Sequence, residues 1–288
     1  MNGMPGRVFV STGGYRGSTP VQAALELTGA GIRAVELSGG KPQDGLRGEL
    51  EKLKETCTLQ FHNYFPPPSE PFVLNLATGD ESLAGKCLAM ASESIRLAAA
   101  LGTPRYSLHA GFRLDPAAGE LGQKVGRKRL QSPEVATTRF LDRLGILAAL
   151  GVDLGVEILV ENNVLSAENY KEFGENPFLG VTPEDVEILM RNAPKNVAFL
   201  LDVAHWKVSA QTLGRNPGEM FAACAPWIRG GHVSDNDGTA DSNEPIREDS
   251  WFWEFLPKDL PFYTLEVYGA SPAELRAQSD LAERMLAC

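Results

Sequence analysis

Four largely apolar runs in this chain close on a side chain that can bind a cation. Gly155 to Val160 closes on Glu161, Val197 to Leu201 on Asp202, Ile228 to Gly231 on His232, and Phe262 to Leu265 on Glu266. A carboxylate at the end of a buried run is costly unless positive charge or hydrogen-bond donors meet it there. Two glutamates, an aspartate and an imidazole form a mixed oxygen and nitrogen donor set, which suits Mn(II), Mg(II), Co(II) or Zn(II). One divalent metal ion shared by all four would relieve the cost in a single place.

The histidines share this placement. The chain has four, and His62, His109 and His232 are expected at the ends of apolar strands, with His205 three residues past Asp202. Scattered histidines would mostly fall on helices or return loops, so a gathering at one rim points to a site. Arg113 after His109, Lys207 after His205, and Arg247 further on add cationic groups that could meet substrate oxygens or an anion. Glu36 also closes an apolar run. Its early strand suits a salt bridge or a substrate contact, so it is kept outside the metal set.

These residues need elements that bring them together. Arg7–Thr12, Ala34–Ser38, Thr58–His62 and Arg105–His109 read as strands, followed by strands ending at Glu161, Asp202, about His232 and Glu266. Between them, helical spacing covers Pro20–Ala30, Gly45–Thr56, Glu81–Leu101 and Pro133–Leu150, and a last helix runs from about Pro272 to Leu286. Thr182-Pro183 reads as an N-cap with proline at the first helical position. Asn162 to Gly180 reads as a long loop. Strand and helix alternate through eight repeats, the pattern of an α/β fold built as one (β/α)8 TIM barrel over residues 1–288. Its long loops leave the C-terminal ends of the strands, the catalytic face of such barrels. A doubly wound sheet fits less well, because Gly13-Gly14-Tyr15-Arg16-Gly17 is not the GxGxxG phosphate turn.

Bulk properties exclude several classes. The net charge of -10 argues against a general nucleic-acid binder, so no nucleic-acid partner is expected. No run approaches the roughly 18 apolar residues of a membrane span, and Met1 to Gly6 lacks the pattern of a signal peptide. Cys57, Cys87, Cys224 and Cys288 are far apart and form no CxxC pair, which fits reduced thiols in a cytoplasmic protein. A homo-oligomer is possible, although no stretch identifies an interface.

The order Glu161, Asp202-Val203-Ala204-His205, His232, Glu266 on strands five to eight resembles the xylose isomerase-like TIM barrels. That superfamily holds sugar and sugar-phosphate isomerases and epimerases, 3-dehydroshikimate dehydratase and endonuclease IV. The resemblance spans essentially the whole chain and implies Glu161, Asp202, His232 and Glu266 as metal ligands. It implies Glu161 and Glu266 as the acid/base pair that moves a proton beside a metal-bound carbonyl, with His205 also catalytic, touching substrate or a further ion. His62, His109, Arg113, Lys207 and Arg247 are then candidates for holding a carbohydrate or polyol.

Two departures matter. The endonuclease branch adds histidines on strands three and four, which His62 and His109 supply, and a D-x-H after strand seven. Here that element is Asp241-Ser242-Asn243, with a poor zinc ligand in the last place. The epimerase members often carry a histidine and a Pro-x-Gly-x-Gly turn where Asn243 to Asp249 stands. An isomerase or epimerase is therefore expected, with a dehydratase as the alternative. An endonuclease-like enzyme or a barrel that only binds is further off.

Overall fold

Eight parallel strands close into a barrel in chain order, with β1 pairing β8. They are β1 (Val8–Ser11), β2 (Ala34–Leu37), β3 (Thr58–His62), β4 (Arg105–His109), β5 (Glu157–Glu161), β6 (Val197–Asp202), β7 (Ile228–Val233) and β8 (Tyr263–Leu265). The helices are α1 (Pro20–Gly29), α2 (Leu46–Leu53), α3 (Glu81–Leu101), α4 (Pro133–Leu154), α5 (Ala167–Phe173), α6 (Pro183–Asn192), α7 (Val203–Leu213), α8 (Pro217–Cys224) and α9 (Pro272–Ala287). The structure, a computed structural model, describes residues 7–15 and 17–287. Met1 to Gly6, read above for a leader, Arg16 in the glycine turn and Cys288 lie outside the described residues.

Alternation along the strands divides the core into two layers. Val8, Val10, Val35, Leu37, Tyr106 and Leu108 belong to the large cluster that the helices cover. Phe9, Ala34, Leu159, Ala198, Leu200 and Phe262 form a separate apolar plug inside the barrel. Below it, the Arg105 guanidinium lies 5.0 Å from the Phe262 ring centre. One inward step further along each strand, the lining turns polar: Ser11, Glu36, Gln60, His62, Glu161, Asp202, His232 and Thr264 are all buried. The plug is thus the floor on which a polar chamber stands.

Gly230 shows how tightly that floor is filled. A Cβ placed on it would lie 2.3 Å from the Phe262 ring. Gly230→Ala is expected to destabilise the fold by about 1–3 kcal/mol through overpacking. A denaturant midpoint equal to that of the parent chain would contradict this account.

Most element boundaries agree closely with the sequence reading, and four differ, the first being α2, which stops at Leu53 instead of Thr56. The stretch expected as a loop from Asn162 to Gly180 contains α5, capped by Ser166 accepting from the Asn169 amide and stopped by Gly174 at φ +73°. α4 continues past Leu150 to Leu154 and ends at Gly155, also left-handed at φ +69°. β8 stops at Leu265, so Glu266 lies one residue beyond the strand. The excursion after β4 is long, as expected, and is tied down from inside. Asn163 Nδ2 donates to the carbonyls of Ala110, Gly111 and Leu179, and Asn75 Nδ2 donates to those of Phe112 and Leu114. Cys57, Cys87 and Cys224 are free and buried. No helix among the described residues is long and apolar enough to cross a membrane.

Candidate metal centre

Strand register places the chamber's ligands at one level. His109 pairs with Glu161 across β4 and β5, and Asp202 pairs with His232 across β6 and β7. Asn162 fastens β5 to β6 by accepting from the Asp202 amide (2.8 Å) and donating to the Asp202 carbonyl (3.0 Å). Asp202 then serves as N-cap of α7, its Oδ1 accepting from the His205 amide at 2.8 Å. Glu266 Oε1 accepts from the Ser11 hydroxyl at 3.2 Å.

The result is that one donor atom each from Glu161, Asp202, His232 and Glu266 lie within 4.8 Å of one another. The first three are wholly buried and Glu266 is 6% exposed. Among the described residues, both Glu161 oxygens, Asp202 Oδ2 and His232 Nδ1 make no hydrogen bond, although ionisable neighbours stand as near as 3.3 Å. Buried polar atoms are ordinarily satisfied, and an unsatisfied buried charge is expensive. Atoms left open in this way and converging on one point fit a divalent cation. His232 Nδ1 stands 3.5 Å from both Glu161 Oε1 and Glu266 Oε2, while its Nε2 faces Glu36.

The same crowding sets the protonation pattern without an ion. Burial pushes the Asp202 carboxyl up to about 7, with His205 opposing and Glu161, Asp241 and Glu266 reinforcing the rise. Burial would also raise Glu161, but the surrounding histidines hold it well below the carboxylate range. Glu266 is likewise raised by burial and brought to about 2 by His232. Burial disfavours charged His205 and His232, yet Asp202 and Asp241 lift the first and Glu36, Glu266 and Glu161 lift the second, both well above the usual imidazole value. Burial takes His109 down to about 4, so its ring is neutral with a lone pair available.

All four histidines border this chamber. His62 is 3% exposed, with Nδ1 3.0 Å from the Ser107 hydroxyl and Nε2 3.3 Å from Glu161 Oε2. His62, expected as a substrate contact, thus stands inside the chamber against Glu161. His109 Nε2 is 3.8 Å from the same Glu161 oxygen, and its side chain is 24% exposed, which leaves it facing the mouth. His62, His109 and Glu161 form a second group with ligand geometry, and Glu36, His62 and His232 a third. His205 Nδ1 donates to the Asn162 carbonyl at 2.8 Å, and Nε2 is 3.2 Å from Asp241 Oδ2. Sequence reading had Asp241 only as part of a motif; the structure makes it the partner of His205.

Three of the expected substrate contacts are engaged elsewhere. Arg113 is buried in the long loops, donating to Glu175 (2.7 Å), the Asn176 carbonyl (2.5 Å) and the Gln131 carbonyl (2.9 Å). Lys207 braces α7 against the loop after β7 through Asp235 (2.8 Å) and the Asn236 carbonyl. The Arg247 side chain is 64% exposed, 3.6 Å from both Asp235 and Asp249. Each had the right charge beside the right strand, but spacing alone does not reveal that a nearer acceptor takes the side chain. Glu36, Gln60, Thr264 and Ser11 support the ligands from below or beside. Their signal was inward parity on strands whose partners carried chemistry.

Comparison with known proteins adds three findings. The model of a family described as xylose isomerase-like TIM barrel matches residues 24–277. No curated protein matches the chain. Among solved structures, the chain is similar to a protein from Thermus thermophilus, TTHB071, soaked with ZnCl2, at 22% identity and TM-score 0.66, covering 96% of this chain and 98% of that one. It is similar to 3-keto-D-glucoside 4-epimerase from E. coli at 13% identity and TM-score 0.67, covering 98% and 100%. D-psicose 3-epimerase from Clostridium cellulolyticum, solved with D-tagatose, gives 11% identity, TM-score 0.66, and coverage of 98% and 100%.

Proposed function

Because the chain belongs to the xylose isomerase-like TIM barrel family, we propose that it is a divalent-metal-dependent isomerase or epimerase of a sugar or sugar phosphate. The observation that carries this reading is the convergence of Glu161, Asp202, His232 and Glu266 at one buried point, with donor atoms of the first three left without a hydrogen bond among the described residues. These four would hold one Mn, Mg, Co or Zn ion. When bound, the ion supplies Lewis acidity that polarises a substrate carbonyl and makes the neighbouring C–H more acidic. The sugar epimerases among similar structures support a carbohydrate substrate.

The chain's own groups move the proton. A Glu161 oxygen, kept ionised by its histidine neighbours, accepts the proton from the carbon beside the carbonyl, and the C–H electron pair shifts toward the carbonyl oxygen. Glu266, ionised at rest, takes up a proton from solvent and delivers it to the opposite face of the carbon, which inverts the centre, while Glu161 gives its proton up to solvent. Delivery to the former carbonyl carbon instead, with loss of the adjacent hydroxyl proton to solvent, moves the carbonyl. His109, neutral and open to the mouth, orients a substrate hydroxyl through a ring nitrogen. His205, with Nδ1 fixed on a main-chain carbonyl, presents only Nε2 to the chamber and shares it with Asp241. Buried free thiols support a reducing, cytoplasmic setting.

Incubation of the Mn(II)-loaded protein with a panel of ketoses and ketose phosphates in deuterated water is the test. Deuterium at the carbon beside the carbonyl of at least one sugar is the expected result. A new ultraviolet-absorbing conjugated product would point to a dehydratase instead, and no exchange with any member would overturn the reading. The His62–His109–Glu161 group favours a second reading, a centre of more than one ion that shares Glu161 and serves hydrolysis. Elemental analysis separates the two: one ion per chain supports the first, and two or more the second.

A further inference from the structure

Glu36, the next-to-last residue of β2, has no exposed surface, and it lies outside the four-residue ligand group. It also stands with His62 and His232 in a smaller group, and a carboxylate buried this deeply calls for a compensating role. Its Oε2 accepts from Gln60 Nε2 at 2.7 Å and from the Thr264 hydroxyl at 3.1 Å. Gln60 also donates to that hydroxyl at 2.9 Å, so the three side chains form a closed triangle that fixes the carboxylate. Oε1 has no hydrogen bond of its own and lies 3.2 Å from His232 Nε2, with Oε2 at 3.3 Å. No other carboxylate is paired with that nitrogen among the described residues.

From this arrangement we propose that Glu36 is a positioning residue for the metal centre, acting only through His232. The carboxylate accepts the Nε2–H of His232, which fixes the ring's orientation and keeps the Nδ1 lone pair aimed at Glu161 and Glu266. Its negative charge makes that lone pair a stronger donor, as carboxylates behind metal-bound histidines do. If Glu36 only filled space, a glutamine would serve as well and spare a buried charge. The inference rests on the reading of Glu161, Asp202, His232 and Glu266 as ligands, and its test keeps the two separable.

Co(II) and Zn(II) affinities are measured by chelator competition on the full chain, for the parent, Glu36→Gln, Glu36→Asp and Asp202→Asn. Glu36→Gln is expected to weaken binding by roughly 10–100-fold. Glu36→Asp, which keeps the charge and withdraws it by one methylene, is expected to weaken binding several-fold and carries the test if the glutamine variant does not fold. The visible spectrum of bound Co(II) and the Nε2–H nitrogen resonance of His232 should shift in both, which a merely structural role would not produce. Parent-like affinity and spectra in both variants, with binding lost in Asp202→Asn, would overturn the role of Glu36 alone. Absence of binding by the parent chain would instead overturn the metal reading.

Discussion

Glu161→Gln is expected to slow deuterium exchange into substrate by roughly 10²–10⁴-fold, the contribution of a positioned acid or base. Glu161 is the hub of the chamber. His62, His205 and His232 stand 3.3, 3.5 and 3.5 Å from its oxygens, and His109 stands at 3.8 Å. Glutamine has nearly the same shape but accepts no proton and carries no charge for an ion. Exchange is to be followed by NMR at saturating Mn(II), with bound metal measured in the same sample. If the variant retains its ion and exchanges within about threefold of the parent, Glu161 is not the base. A thermal melt identifies a loss that comes only from misfolding.

Removing the ion is expected to weaken the fold as well as the chemistry. A ligand at a thousand times its Kd stabilises the native state by about 4 kcal/mol. For a chain of this length that corresponds to a fall of roughly 5–10 °C in Tm on adding chelator. The sign with pH follows from the shifted groups. Without an ion, Asp202 titrates at about 7 in the folded chain and near 3.9 when unfolded. Between those values the folded state holds a proton that the unfolded state has lost, so stability falls as pH rises from about 4 to about 7. His205 and His232 are raised on folding. Their contribution is full below about 6.5 and is lost as pH climbs through their folded values. With the ion bound, Asp202 is ionised and its dependence vanishes, while His232 is neutral and its dependence reverses, because the unfolded imidazole still takes up a proton below about 6.5. The Tm difference between loaded and stripped protein should therefore widen with pH from 5 to 8. Scanning calorimetry at several pH values checks this, and a constant difference would contradict it.

Much of the frame was legible because hydrophobic period and punctuation agreed along the chain. Asp80, Gly102 and Ser132 mark helix ends by capping chemistry, and β3, α3 and β4 have the bounds their residues suggested. The gathering of Glu161, Asp202, His232 and Glu266 was legible because barrel strands deliver their last inward residues to one rim. α5 was missed because seven residues carry too little period to outweigh a polar, glycine-flanked surrounding. Its Ser166 and Gly174 caps were the available signal. Arg113, Lys207 and Arg247 could not be placed from sequence, because a long cationic side chain goes to the nearest acceptor and loop conformation decides which that is. Glu36 was visible as a buried carboxylate, but its partner lies 196 residues away, and only barrel closure joins them.

The junction between β6 and α7 has no spacer: Asp202 ends the strand and caps the helix that starts at Val203. An inserted residue would take the aspartate out of the cap or away from its three companions. Variation that adapts this barrel to a new substrate is therefore barred from the junction. It is directed to the excursions after β4, β5 and β7, whose internal ties can be redrawn without moving a ligand. The junction is the fixed point of this barrel, and those loops are where an insertion can be absorbed.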